Sequence, residues 1–580
     1  MSYPDITQKP DPSPLLNKRQ KNLIQWLLIA LMVLGYAMAS LAQGGGLSVM
    51  DMSVTSGFEP TIKDAIKFSD LPEIKDSVKR IGNIKYGISS TPIFPKYQVQ
   101  PIEAARLQNE PLPKLYHALL KVGYGPFYNM PYGEFWIANT RSRDNSYGAH
   151  LKHFSSSAHL RDVGYSGFSD NVINVFGKQL YKKHTLSGDL NYERNVVHYY
   201  GYDTTINTLD DKKQTRQRYQ FIEPKLRLQS HYTDSTYLNH DLRLSYYNLQ
   251  NLYREAENNI RLKALGTMYV NKEKLNINFL TDFYNHKQAN DTINDLIVSL
   301  NPSFEANGKK WHADLGLTGT LDQFKAKTRF YFYPQLNVHY DIYENMVVPY
   351  AGVNGGLIKN SFRSLSQENP FVDTTIRQYT NTHNKYNAFV GLRGHLSSKM
   401  GYDAKVSYAQ YDSMYFYVMD YNGLNMVYNR FDVVYDNTSL ISVNGQLNYL
   451  LTEKINLIAK GNYYLYKPQN LTRAYHKPEF DLTFSGVYNL KSKFIIRADL
   501  FFMGRQWALT QAADNAGGTT LTPKQLKGWA DLNLEGEYRY SKMLSFFARF
   551  NNIAGQRYYR WERYPSQRFN FMLGLSFVPF

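Results

Sequence analysis

Beyond residue 114 the chain repeats one pattern, stretches of about ten residues whose apolar and polar side chains alternate, and few folds accommodate it. In HTLSGDLNYER, Leu186, Gly188, Leu190 and Tyr192 share one face. Thr185, Ser187, Asp189, Asn191 and Glu193 share the other, because successive side chains of a strand point oppositely. KLNINFLTDF sets Leu275, Ile277, Phe279 and Phe283 against Asn276, Asn278 and Asp282. ISVNGQLNYL sets Ile441, Val443, Leu447 and Tyr449 against Ser442, Asn444, Gln446 and Asn448, and WADLNLEGEYRY repeats the arrangement with Leu532, Leu534, Tyr538 and Tyr540.

A water-soluble sandwich also alternates, so the connections between strands decide. Polar, Lys-rich turns fall near 143–146, 181–184, 270–274, 307–310, 397–400, 451–454, 489–493 and 540–543, with somewhat longer ones near 229–238 and 341–346. Mostly longer connections interleave with them, near 126–131, 156–170, 195–217, 249–258, 285–294, 320–328, 357–386, 411–437, 467–478, 504–526 and 552–567. Short and long alternate throughout, as they do in a barrel with short periplasmic turns and long extracellular loops. Eleven such loops, each joining a pair of strands, predict an all-β fold: an antiparallel transmembrane β-barrel of about 22 strands over residues 115–580.

The amino terminus predicts export. Lys18, Arg19 and Lys21 precede an apolar run from Leu23 to Tyr36, and AMASLAQ follows with the small residues a signal peptidase requires. Residues 1–42 read as a signal peptide, with an uncleaved anchor helix as the alternative. No later segment reaches the ~18 uninterrupted apolar residues of a membrane helix, so strands must make any further crossing. The 49 Tyr and 32 Phe suit that role, since aromatic residues favour strands and amphipathic rings suit the boundary of lipid and water. There is no cysteine, which excludes disulfides, a Cys zinc site, a thiol nucleophile and a lipoprotein anchor.

The chain ends FNFMLGLSFVPF. In a barrel the last strand must pair with the first, near 115–123, since an open edge in lipid leaves amides unpaired. Phe569, Phe571, Leu573, Leu575 and Phe577 are then expected to face lipid. Gly574, Phe577 and Phe580 resemble the carboxy-terminal signal that outer-membrane barrels present to the barrel assembly machinery, although Val578 and Pro579 set Phe580 one residue out of phase.

Together with the penultimate strand MLSFFARF, the ending FNNIAGQRYYRWERYPSQRFNFMLGLSF resembles the barrel of TonB-dependent receptors, particularly those of Bacteroidota. The resemblance covers residues 115–580 in architecture and about the last forty in motif. It implies a barrel in the cell outer membrane, in contact with lipid and lipopolysaccharide, acting in transport. One departure stands out. The family's lumen is filled by an amino-terminal plug, whereas Gln43 to Pro113 is short and holds seven prolines (Pro60, Pro72, Pro92, Pro95, Pro101, Pro111 and Pro113). Residues 43–114 are expected to form an arm in the lumen or the periplasm, with a disordered linker as the alternative.

The net charge of +17 raises the possibility of nucleic acid, but no nucleic-acid motif accompanies it, and that class is set aside. Arg261 and Lys263 alternate with Ile260, Leu262 and Ala264, so both are expected to face the lumen, where basic residues favour anions. Catalysis leaves little trace. GYSGFSD fails the spacing of a nucleophile elbow, there is no His-Glu-x-x-His, and His312 and His339 share faces with Asp314 and Asn337 as ordinary lumen polarity. No enzyme, cofactor or metal is expected. Transport across the outer membrane is the leading function; the alternative is a structural subunit bound to a periplasmic or outer-membrane protein partner.

Overall fold

The computed structural model describes residues 115–579, apart from 140–141, 206–211, 234–236, 271–272, 289–290, 326, 374–378, 422–428 and 514–518. The expected signal peptide, the arm and Phe580 lie outside the described residues.

Alternating side chains and tight polar turns produce one closed sheet. Twenty-two antiparallel strands run from Ala118–Gly125 to Asn570–Phe577. The last strand pairs with the first in register, Leu120 with Phe577, Val122 with Leu575 and Tyr124 with Leu573. The expected strand number, the alternation of short turns with long loops, and the closure are all present. Two hairpins rise from the loops outside the ladder, Gln506–Ala513 with Thr519–Leu526 and Tyr559–Trp561 with Tyr564–Pro565. Among the described residues helix is confined to Lys212–Thr215 and Phe362–Glu368.

Burial is inverted relative to a water-soluble domain. Asn276, Asp282, Ser303, Thr320 and Ser442 are buried, while Ile277, Phe283, Leu300, Leu315, Leu317 and Val443 are exposed. The polar phase of each strand faces the lumen and the apolar phase faces outward, the arrangement of a barrel solvated by lipid. In the last strand Leu573 and Phe577 are exposed while Asn570, Met572 and Ser576 are buried.

Closure depends on two glycines. Gly123 and Gly574 face each other across the final pair of strands, and Phe547 pairs with Gly574 on its other side. A Cβ at Gly574 would fall 2.3 Å from the Phe547 ring and 2.4 Å from the Val122 carbonyl oxygen, and one at Gly123 3.1 Å from the same ring. The ring therefore lies over the closing seam, in a small cluster with Met130, Tyr132 and Met572. Gly574→Leu should push Phe547 off the seam, at a cost of about 1–3 kcal/mol for overpacking and more if the ladder opens. The expected outcome is loss of the fast-migrating folded band on unboiled gels, with Gly536→Ala, where a Cβ meets open space, as the harmless control.

Candidate functional site: a loop seated in the lumen

The segment 359–381, between strands Val348–Ile358 and Thr382–Ser397, carries a local instruction for one short helix. Ser361 caps it: the Ser361 hydroxyl accepts from the Ser364 amide at 3.1 Å, and the Ser364 hydroxyl accepts from the Ser361 amide at 2.9 Å. Pro370 follows Asn369 and cannot continue the helix, so the chain turns extended there. Phe362 and Leu365 fall three residues apart, on one side of so short a helix.

That side is fully buried against the barrel wall. Phe362, Leu365 and Val372 pack with Tyr219, Phe221, Tyr247, Leu249 and Tyr284 from one arc of strands and with Tyr417, Met419, Phe431 and Val433 from another. Trp561 and Tyr564 of the last loop complete the cluster. Residues 359–373 and 379–381 are therefore folded as a lid into the long-loop end of the lumen.

Polar contacts define the seat. Glu257, almost fully buried on the wall, accepts from the Phe362 and Arg363 amides at 2.7 and 3.2 Å and from the Tyr247 hydroxyl at 2.7 Å. The first amides of a helix lack internal partners and carry partial positive charge, so a carboxylate matches them both in hydrogen bonding and in charge. Arg363 lies over the Phe221 ring, 4.0 Å from its centroid, and reaches Glu223 at 3.4 Å. At the other end of the helix Glu368 accepts from Lys477 at 3.0 Å and from the hydroxyls of Tyr415 and Tyr417. Wall tyrosines also hold lid carbonyls: Tyr417 donates to Leu365, Tyr219 to Pro370 and Tyr199 to Val372. Both ends of the lid are tied down, Lys359 to Asp295 and Asn381 to Asp295 and Asp322.

The neighbouring loops interlock above it. Phe371 stacks on Tyr564 at 3.8 Å, the Tyr564 hydroxyl donates to the Asn429 carbonyl, and the Asn429 amide donates to the Tyr199 carbonyl at 2.6 Å. Between the lid and the wall lies a cavity of about 460 Å³, lined in part by Asp170, Glu193, His198, Tyr200, Arg363 and Phe371. Among the described residues no group of three or more His, Asp or Glu is arranged to hold a metal.

One acid beside the lid is poised to titrate. Glu255, in the connection between strands Asn239–Asn251 and Ala256–Val270, is buried 2.8 Å from His286 Nε2 and accepts from the Asn251 side chain at 2.9 Å. The His286 ring in turn stacks on Phe362 and meets the edge of Tyr379. Burial, with a smaller contribution from neighbouring Glu257, pushes the Glu255 carboxyl up to about 7 against the favourable contact with His286.

The residues singled out from sequence separate. Arg261 bonds Asp282 at 2.6 Å and the Tyr284 hydroxyl at 3.1 Å, so its guanidinium is already matched beneath the lid. Lys263 pairs in register with Arg243, a neighbour that itself bonds Asp241. Gly574 sits at the closing seam and Phe577 on the outer face, far in sequence and role from the lid. Glu257, Arg363 and Glu368, which hold the lid, were not singled out. The Ser-x-x-Ser start and Asn-Pro stop of the helix were readable, but a segment's direction relative to the barrel axis is not a local property.

The architecture is that of an outer-membrane β-barrel, multi-pass and built of 22 strands. Solved structures similar to it include the pyoverdine outer membrane receptor FpvA of Pseudomonas aeruginosa PAO1 bound to pyoverdine, with a TM-score of 0.60 and 10% identity over 80% of this chain and 78% of that one. The siderophore receptor PirA of Acinetobacter baumannii matches with a TM-score of 0.63 and 10% identity over 81% of each chain. The FrpB iron transporter of Neisseria meningitidis matches with a TM-score of 0.63 and 9% identity, over 80% of this chain and 82% of that one. At such identities the likeness is one of fold. No protein-family model and no curated protein sequence matches the chain.

Two outcomes test the seat. Glu257→Ala leaves two helix amides and the Tyr247 hydroxyl without their acceptor, at about 1–3 kcal/mol for each group left buried. In this cysteine-free chain, a Phe362→Cys reporter should be protected from thiol reagents when Glu257 is present and labelled at least about tenfold faster when it is replaced. The second outcome is pH dependence. A carboxyl raised in the seated state favours seating in its protonated form. That contribution is full below its ordinary value near 4.5 and is lost as the pH rises through about 7. Ion conductance should therefore rise between about pH 5 and about pH 8, and Glu255→Gln should flatten the rise.

Proposed function

We propose that this chain is an outer-membrane transport barrel whose lumen is gated at the cell-surface end by its own loop 359–381. The observation that carries the reading is the seat itself, in which buried Glu257 receives the first amides of the lid helix. A permanently fixed core would gain more from an apolar residue there, because a buried carboxylate is costly unless its partners stay in place. A carboxylate matched by movable amides instead suits a contact made and released as a unit. The similar structures, receptors and transporters of siderophores and iron by their descriptions, support passage of a solute through the barrel. In this reading residues 1–42 direct export, and residues 43–114 form a periplasmic or lumenal arm in place of the plug that the family resemblance leads one to expect.

The interlocked Tyr564, Asn429 and Tyr199 favour a second reading, a closed barrel serving as a subunit of an outer-membrane assembly. Replacing 361–372 by a short Gly/Ser linker separates the two. Under the transport reading, single-channel conductance in planar bilayers rises and cells become sensitive to large antibiotics. Unchanged conductance overturns the lid as the gate. Deleting Gly45 to Glu110 in the same assay then shows whether the arm closes the lumen instead.

A further inference from the structure

Among the described residues the ladder has one long interruption. Strand Lys327–Tyr340 pairs with Trp311–Phe324 along its whole length, from Trp311 with Tyr340 to Phe324 with Lys327. On its other edge it meets Val348–Ile358 through four pairs alone, Leu336–His339 with Tyr350–Val353. The strands are 14 and 11 residues long, so shortage of strand does not explain the gap. Val348–Ile358 itself continues to pair on its far side up to Ile358 with Thr382. Pro334 stands just past the last ladder pair and has no N–H to donate. Opposite it, Gly355 falls at a register shift in the pairing of Val348–Ile358 with Thr382–Ser397.

Side chains close this seam where the backbone does not. The Tyr333 hydroxyl lies 3.2 Å from His383 Nδ1 on strand Thr382–Ser397, and the Tyr331 ring meets the same imidazole edge-on at 3.4 Å. Tyr333 is fully buried, and a Cβ at Gly355 would come within 3.0 Å of its ring. An added strand needs about 4.8 Å on each side, so a partner's strand has no room while Tyr333 is in place. On the opposite phase, facing outward, Phe330 and Phe332 are 69% and 71% exposed, the highest values among the exposed large apolar residues.

Two features point to an occupant. The edge of Lys327–Tyr340 before Leu336 has no ladder partner on this side, and where such an edge meets lipid each unsatisfied amide costs several kcal/mol, so a polar group that can reach it is favoured. Second, His383 is buried, and among the described residues its Nε2 has no hydrogen-bond partner. In the tautomer whose Nδ1 accepts from the Tyr333 hydroxyl, Nε2 carries the proton and lacks an acceptor. Arg329 shares the inward phase with Tyr331 and Tyr333. A donor pair of this kind fits a carboxylate, and the adjacent exposed Phe330 and Phe332 fit an acyl chain.

We propose that the seam between Lys327–Gln335 and Asn354–Ile358 is a lateral portal for a fatty acid. Its carboxylate is held by His383 and Arg329, its chain lies on Phe330 and Phe332, and Tyr333 is the latch. This route runs through the wall, not along the axis, and does not depend on the lid.

The test uses the full chain in phosphatidylcholine vesicles with a diazirine-bearing fatty acid as the probe. Photolabelling should concentrate on 330–333, compete with unlabelled fatty acid, and fall to background in His383→Phe and in Arg329→Ala. Gln335→Cys with Asn354→Cys, placed at the next positions beyond the ladder's end, should abolish labelling when oxidised and restore it when reduced. Replacing 361–372 should leave labelling unchanged. The unboiled-gel shift confirms that each variant is folded. Labelling spread evenly over the outer face, labelling indifferent to oxidation and to His383, or labelling by a diazirine phospholipid but not by the fatty acid would each overturn the portal.

Discussion

A strand amide that faces acyl chains finds no water to bond, and leaving it unpaired costs several kcal/mol. The pairing of Leu120–Tyr124 with Leu573–Phe577 is where this chain meets that constraint. Because the first and last strands join, every other strand can expose Ile, Leu, Phe and Val outward without presenting an edge. The same closure forces the alternate side chains inward, so the lumen is walled by Asn, Asp, Ser, Thr and Tyr. Gly123 and Gly574 contribute by omission, since a side chain on either would displace Phe547 from the seam.

A polar wall creates a second problem, because carboxylates that lose water must find other donors. The lid meets much of that need with its own backbone and cations. Glu257 takes two amides, Glu223 takes Arg363, and Asp295 takes Lys359 and Asn381. In return the wall's tyrosines satisfy the carbonyls of Leu365, Pro370 and Val372. The lid therefore binds by a hydrogen-bonded match laid over an aromatic cluster. A contact of this sort is specific to one position of the loop, and it weakens together once a central member is lost.

The ladder's interruption beyond Leu336 is the counterpart of these rules. Where Pro334 withdraws a donor and Gly355 shifts the register, Tyr331, Tyr333 and His383 take over closure. Side chains can rotate on timescales far shorter than a strand can unzip, so this part of the wall is held by the contacts easiest to release.

The division between sequence and structure follows from the range of the forces involved. Alternation in HTLSGDLNYER or KLNINFLTDF is a property of neighbouring residues, and the turns near 181–184 and 451–454 announce themselves through composition. The strand number, the facing of Leu573 and Phe577, and the pairing of the two chain ends were therefore legible. The inward phase of Arg261 was an expectation drawn from the same alternation. Its commitment to Asp282 was not, since the partner lies on the next strand and either could have pointed to a free neighbour. The capping serines and the Asn-Pro stop around Phe362 also sat in plain view. What local signals could not say is that this helix turns into the lumen, because that depends on the buried carboxylate of Glu257, 105 residues away, taking the first amides of the helix. The gap beside Pro334 was hidden for the same reason, for a proline marks a missing donor only once the strand that lacks it has been placed. Sequence by itself determined a barrel with two faces and two kinds of ends, since those follow from the period of a strand; the tertiary structure alone decided which loop enters it and where its ladder is interrupted, since those depend on which distant groups the closed sheet brings together.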